Sequence, residues 1–187
     1  MITVILSMLA ALCYGIGGFL GGINSRRYGV IAILPSVILA GAVTVTAAIP
    51  IVGAQFNASV FRAAAFAVVF GFLGYATVYR AIAIGPMGVA SAIYSVICAA
   101  IPFLVSVFRG DEVSFIGVIG AVIALISITL VCRSSEDAKH PVTKKMVTVA
   151  VLGGLFAAGF VLALAGAPKT SGVAVFVVTR WTQVAIL

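Results

Sequence analysis

Acidic side chains are scarce in this sequence: its 187 residues hold four, Asp111, Glu112, Glu136 and Asp137. Histidine occurs once, as His140, and tryptophan once, as Trp181. The cysteines are three, Cys13, Cys98 and Cys132. Each shortage excludes a chemistry. There is no Ser/His/Asp set, no metal-ligand spacing such as CxxC, and no glycine-rich phosphate loop after a strand. His140 stands beside Pro141 without a second ligand and reads as a solvated loop residue. The cysteines lie within or at the ends of apolar runs and read as small apolar side chains. An enzyme is therefore not expected, and neither a metal nor any other cofactor.

Charge of either sign is also sparse, at 8% of residues against 64% hydrophobic. A soluble domain of this size needs far more surface charge than that. What charge there is clusters, so that residues 2–23 and 30–54 contain none. A helix needs ~20 apolar residues to cross the ~30 Å hydrocarbon core. The chain is thus read as an all-α, polytopic transmembrane helical bundle. Barrel strands would alternate polar and apolar residues, and these runs do not. The net charge of +7 comes from basic residues placed singly or in pairs between runs, without interleaved aromatics. That pattern sets topology and touches lipid headgroups; nucleic acid is not an expected partner. The first run has no Lys or Arg before it and is too long for a signal peptide, and Leu12 is too bulky to precede a lipoprotein cysteine at Cys13. A retained first helix is expected.

Seven spans follow, over residues 2–22, 30–52, 63–84, 87–107, 114–132 and 146–165, with a seventh from 172 still running at 187. Most connections are short, and the Gly85-Pro86 turn is ascribed to glycine's tolerance of positive φ and proline's inability to continue a helix. Only residues 133–145 form a longer polar linker. Gly17/Gly21, Gly18/Gly22 and Gly117/Ala121 carry the four-residue spacing of small side chains that lets helices approach closely. Pro102, in the fourth span, is expected to kink it and free a carbonyl.

The third to fifth spans carry an ordered string: Gly74-Tyr75-Ala76, Tyr79-Arg80-Ala81, then Gly85-Pro86-Met87-Gly88-Val89-Ala90-Ser91. Pro102-Phe103 follows, and Asp111-Glu112 precedes a span opening Gly117-Val118-Ile119-Gly120-Ala121. The order and spacing resemble the EamA-type drug/metabolite transporters, well over 63–132 and loosely elsewhere. The resemblance implies an inverted-repeat transporter of ten helices in a bacterial inner (plasma) membrane. Its domains would be a first five-helix repeat at 1–132, a polar linker at 133–145, and the start of a second repeat at 146–187. The chain would then be a truncated part of a longer protein, and Leu187 not the natural end of a working transporter. Partners would be membrane lipid and a small-molecule substrate, with a homodimer as a way to complete the cavity.

Candidate site residues come from polar groups inside spans, which cost least when they face the bundle interior. These are Tyr75, Tyr94, Ser95 and Arg180. Arg180 lies about nine residues, ~13 Å, inside the seventh span, where a cation must pair or face water unless that span starts later. Arg80 reads either as an interfacial anchor or as a cavity cation. Tyr94 and Ser91 share a helical face and serve either a substrate or a neighbouring helix. All four carboxylates stand in connections, so no proton-coupling site is expected here, although distant small multidrug exporters keep a glutamate in their first helix.

Orientation is left open. The resemblance implies a cytoplasmic N-terminus, whereas the positive-inside rule, applied to Arg26, Arg27, Arg80, Arg133, Lys139, Lys144 and Lys145 against Arg62, Arg109 and Lys169, favours an external one. The leading function is a secondary transporter of small organic solutes working by alternating access. The rivals are a non-transporting scaffold, assembly subunit or degenerate transporter fragment, and a lipid-modifying enzyme, which would need an acidic or histidine pair inside a span.

Overall fold

Runs without charge leave the backbone one way to satisfy its polar groups in lipid, the α-helix, and helices are what form. A computed structural model describes residues 2–110, 117, 119–120, 122–123, 126–127, 130 and 141–187. The helices are α1 (Ile2–Tyr28), α2 (Val30–Ala47), a single turn α3 (Ile49–Val52), α4 (Ala58–Ile84), α5 (Met87–Phe108), α6 (Lys144–Ala165) and α7 (Ala174–Ile186). A 3₁₀ turn, Lys169–Ser171, precedes α7. Five stretches are long and apolar enough to cross a membrane: Met8–Tyr28, Val30–Val52, Ala58–Ile84, Met87–Phe108 and Lys144–Ala165. Among the described residues there is no β-strand, only an isolated bridge between Ala54 and Gly172. The span expected over 114–132 falls mostly outside the described residues; those of its positions that are described are helical.

Boundaries differ from the sequence reading where side chains extend the helices. α1 runs past Gly22 because Ser25 and Arg26 are engaged by the end of α4. Ser25 Oγ donates to Gly22 O of its own helix at 2.8 Å and reaches Tyr79 O of α4 at 3.5 Å, Arg26 Nε donates to Ile82 O at 3.0 Å, and Arg26 Nη2 donates to Gly85 O. A guanidinium on the last carbonyls of a helix satisfies orphan acceptors and opposes the macrodipole. α4 starts at Ala58, five residues before the expected 63, because Asn57 caps it: its Oδ1 accepts from Val60 N at 2.9 Å. The second span breaks at Ala48, just before Pro50. α5, by contrast, runs through Pro102 as a single helix.

The Gly85-Pro86 turn needs a correction. Gly85 has φ −146° and ψ −175°, extended backbone open to any residue, so positive φ is not the reason for glycine. The reason is space: a Cβ there would press into Met146, reaching its Cε at 2.9 Å. Positive φ is used instead at Gly53 (80°) and Gly172 (56°). These two turns meet, with Val173 N donating to Gly53 O at 3.1 Å and Gln55 N to Ser171 O at 3.2 Å.

α4 is the centre of the molecule, touching α1, α2, α5, α6 and α7. Two apolar cores sit at its ends. At the C-terminal end Ala81 and Ile82 pack with Val89 and Ala90 of α5 and Met146 and Ala150 of α6. At the N-terminal end Val60, Ala63 and Ala64 pack with Ala174 and Val175 of α7. Between them runs a seam of small residues, which the sequence reading placed elsewhere. Cβ atoms at Gly153 and Gly154 would meet Val78 of α4 at 2.9 Å and Ile97 of α5 at 2.6 Å. Of the α1 glycines, Gly21 and Gly22 press on Tyr79 and on Ile82 with Met87, whereas Gly17 and Gly18 face open space. Large apolar side chains such as Leu9, Leu12, Phe19, Ile31 and Phe66 point outward, the inverse of a soluble surface and the expected face toward lipid.

Candidate functional site

About two-thirds of the way along α4 the apolar packing gives way to polar side chains. Tyr75 stands ~25 Å from Ala58 and ~14 Å from Ile84 along the axis, at ~1.5 Å per residue. Its hydroxyl accepts from Arg180 Nη2 of α7 at 2.6 Å. The same guanidinium lies over the Tyr75 ring, 4.8 Å from its centroid, within cation–π range. Arg180 Nη1 donates to Gln183 Oε1 at 3.1 Å, one helical turn on. Gln183 is fully buried, and its Nε2 donates to Val68 O of α4 at 3.1 Å. Glycine makes the room: a Cβ on Gly41 of α2 would stand 3.2 Å from Arg180 Nε, and one on Gly71 would stand 2.9 Å from Gln183 Nε2.

Four of the chain's five tyrosines gather here. Tyr75 and Tyr79 stack with centroids 6.1 Å apart. The hydroxyls of Tyr14 on α1 and Tyr94 on α5 are 2.5 Å apart. Tyr79 lies against Gly21 of α1, the helix that carries Tyr14. The constellation therefore draws on α1, α4, α5 and α7, with α2 giving way at Gly41.

Of the residues expected at a site, Arg180 and Tyr75 are in direct contact, and Tyr94 is beside them through Tyr14. α7 begins at Ala174, so Arg180 is well inside the helix. Ser95 is exposed, and its Oγ donates to Ser91 O of its own helix at 2.5 Å. Ser91 likewise bonds Gly88 O at 3.1 Å. Arg80 is exposed, and the guanidinium bound to Tyr75 is that of Arg180. Trp181 Nε1 donates to Thr46 Oγ1 of α2 at 2.9 Å. Sequence reasoning left out Gln183, Tyr14 and Tyr79 as site members. Arg180/Gln183 at i, i+3 and Tyr75/Tyr79 at i, i+4 were signals that could have found two of them. Asp111, Glu112, Glu136, Asp137 and His140 lie outside the described residues. Among the described residues no group of His, Cys, Asp or Glu could hold a metal ion.

Five helices long and apolar enough to cross a membrane define an integral multi-pass membrane protein, and a cation bound to a tyrosine lies between its helices. The chain belongs to the EamA-like transporter family, whose model matches residues 1–133. Membership supports a general transporter role. No curated protein and no solved structure matches the chain.

Proposed function

We propose that the protein is a secondary transporter that moves small organic solutes across a bacterial inner membrane by alternating access around the Arg180–Tyr75 site. The observation that carries this reading is a guanidinium held at mid-depth by neutral partners, since a cation there is costly unless it serves a polar pathway. Family membership supports the same role. In this reading residues 1–132 form the first repeat, 133–145 the linker and 146–187 the opening of the second. Tyr75, Tyr94, Ser95 and Arg180 belong to the solute pathway, with Tyr79 stacked on Tyr75, Tyr14 bonded to Tyr94 and Gln183 bonded to Arg180. The protein acts on its solute without covalent chemistry. Lipid surrounds the bundle, and a second copy is the partner to look for if the cavity is completed by assembly.

Counterflow in proteoliposomes tests the proposal. Vesicles loaded with unlabelled solutes from a panel of neutral, cationic and anionic compounds should accumulate the matching labelled solute transiently for at least one member. Equal signals from protein-containing and empty vesicles across the panel would contradict it.

A further inference from the structure

Resting on the transporter reading, we infer that the solute is an organic anion, and that Arg180 is the group that binds its carboxylate. The argument begins with unspent hydrogen-bonding capacity. A guanidinium carries five N–H donors in a planar fork. Arg180 uses Nη1 on Gln183 and Nη2 on Tyr75, both neutral, so no described residue neutralises its charge. None of the described residues is acidic, and in the sequence the chain's four carboxylates stand between the apolar spans.

The remaining donors are not sealed in protein. Among the described residues no buried side-chain N or O atom lacks a partner, and Arg180 is only partly buried. Its Nε, which has no partner among the described residues, therefore keeps some accessible surface. The Nε edge is kept clear by Gly41. Tyr75 accepts from Arg180, which leaves the hydroxyl hydrogen of Tyr75 to donate to an incoming acceptor.

Depth excludes the commonest alternative source of negative charge. Val68 and Tyr75, which contact Gln183 and Arg180, lie ~14 Å or more from either end of α4. A lipid headgroup at the bilayer surface does not reach that far. A free carboxylate that reaches the accessible edge of Arg180 does, and two N–H groups of one guanidinium match its two oxygens. The stacked tyrosines offer apolar faces to the rest of the molecule.

The test uses the protein's single tryptophan, Trp181, next to Arg180 in sequence and bonded to Thr46. Purified protein in neutral detergent, free of anionic lipid, is titrated with cyclohexanecarboxylate, its neutral isostere cyclohexanecarboxamide, and cyclohexylmethylammonium. The expected result is a saturable change in Trp181 emission with the carboxylate binding at least about ten-fold tighter than the amide, as charge-assisted hydrogen bonds require. R180Q should erase that preference, R180K should keep part of it, and Y75F should weaken carboxylate binding a few-fold. Equal binding of carboxylate and amide, or an R180Q protein of wild-type helicity that still prefers the carboxylate, overturns the inference. If R180Q does not fold, Y75F and the wild-type selectivity decide. Counterflow of the same three solutes separates this inference from the transporter reading. Exchange of neutral or cationic solutes alone overturns the inference and leaves transport standing. Selective carboxylate binding without exchange of any solute leaves the inference standing and removes transport.

Discussion

Arg180, Tyr75 and Gln183 form a chain of hydrogen bonds from α7 to the backbone of α4, and every link crosses or stiffens the interface between them. Tyr14 and Tyr94 make a second link, from α1 to α5. Interhelical hydrogen bonds in membrane proteins are worth ~0.6 kcal/mol on average and up to ~1.7 kcal/mol. A double-mutant cycle of Tyr14→Phe and Tyr94→Phe should therefore give a coupling energy of ~0.5–1.5 kcal/mol by denaturant unfolding. A coupling of zero would mean that the 2.5 Å contact is not an energetic one. Arg180 could be found in the sequence because a cation inside an apolar run is costly wherever it points. Tyr75 stood out within the family-like string. Gln183 did not, because a neutral amide in such a run serves a helix contact equally well. The Tyr14–Tyr94 pair joins residues 80 apart in the chain, and no local pattern announces it.

Helices α4, α5 and α6 approach closely because glycine and alanine line their contacts. The seam is Gly71 and Gly74 on α4, with Gly153, Gly154, Ala157 and Ala158 buried on α6. Gly71→Ala would bring Cβ within 2.9 Å of Gln183 Nε2 and 3.1 Å of Phe160. Its expected cost is ~1–3 kcal/mol, as for other overpacked sites. Gly17→Ala and Gly18→Ala, which face open space, should change stability by less than ~0.5 kcal/mol. Unfolding of the three variants in parallel checks this, and equal losses would mean that the seam is misplaced. The four-residue spacing of Gly17/Gly21 and Gly18/Gly22 was visible in the sequence, yet each pair has one packed member and one open one. Spacing finds a face, and only packing shows how far along the helix a neighbour extends.

Arg26 makes the same point for helix ends. Basic residues near spans read as topology signals, but this one is bound to the last carbonyls of α4. Arg26→Met should cost ~1–2 kcal/mol, the range for a favourable, partly buried cation at a helix C-terminus. Arg27→Met, which removes an exposed contact with the Tyr28 ring 5.3 Å away, should cost less than ~0.5 kcal/mol. Comparable thermal midpoints for the two variants would deny Arg26 its capping role.

At the scale of the whole molecule, hydrophobic length alone predicted the five spans that the described residues carry, because the bilayer imposes one thickness and one backbone solution; the expected seventh span is the 13-residue helix α7, shorter than a crossing needs. Length could not show that α6, which follows the polar linker, wedges against α4 and α5, nor that the turns at Gly53 and Gly172 pair. Those contacts join residues more than fifty positions apart, and in the turns more than a hundred, and leave no periodic trace. They bring α7 across α4 and so place Arg180 over Tyr75. The account as a whole claims that this site opens to each side of the membrane in turn. The most direct measurement is the accessibility of a single cysteine there: Tyr94→Cys in a chain with Cys13, Cys98 and Cys132 replaced by serine, reconstituted and exposed to a membrane-impermeant thiol reagent from one face or the other. The account predicts labelling from both faces, slowed from both by a solute that the protein exchanges in counterflow. Labelling from one face only, with or without solute, would contradict it.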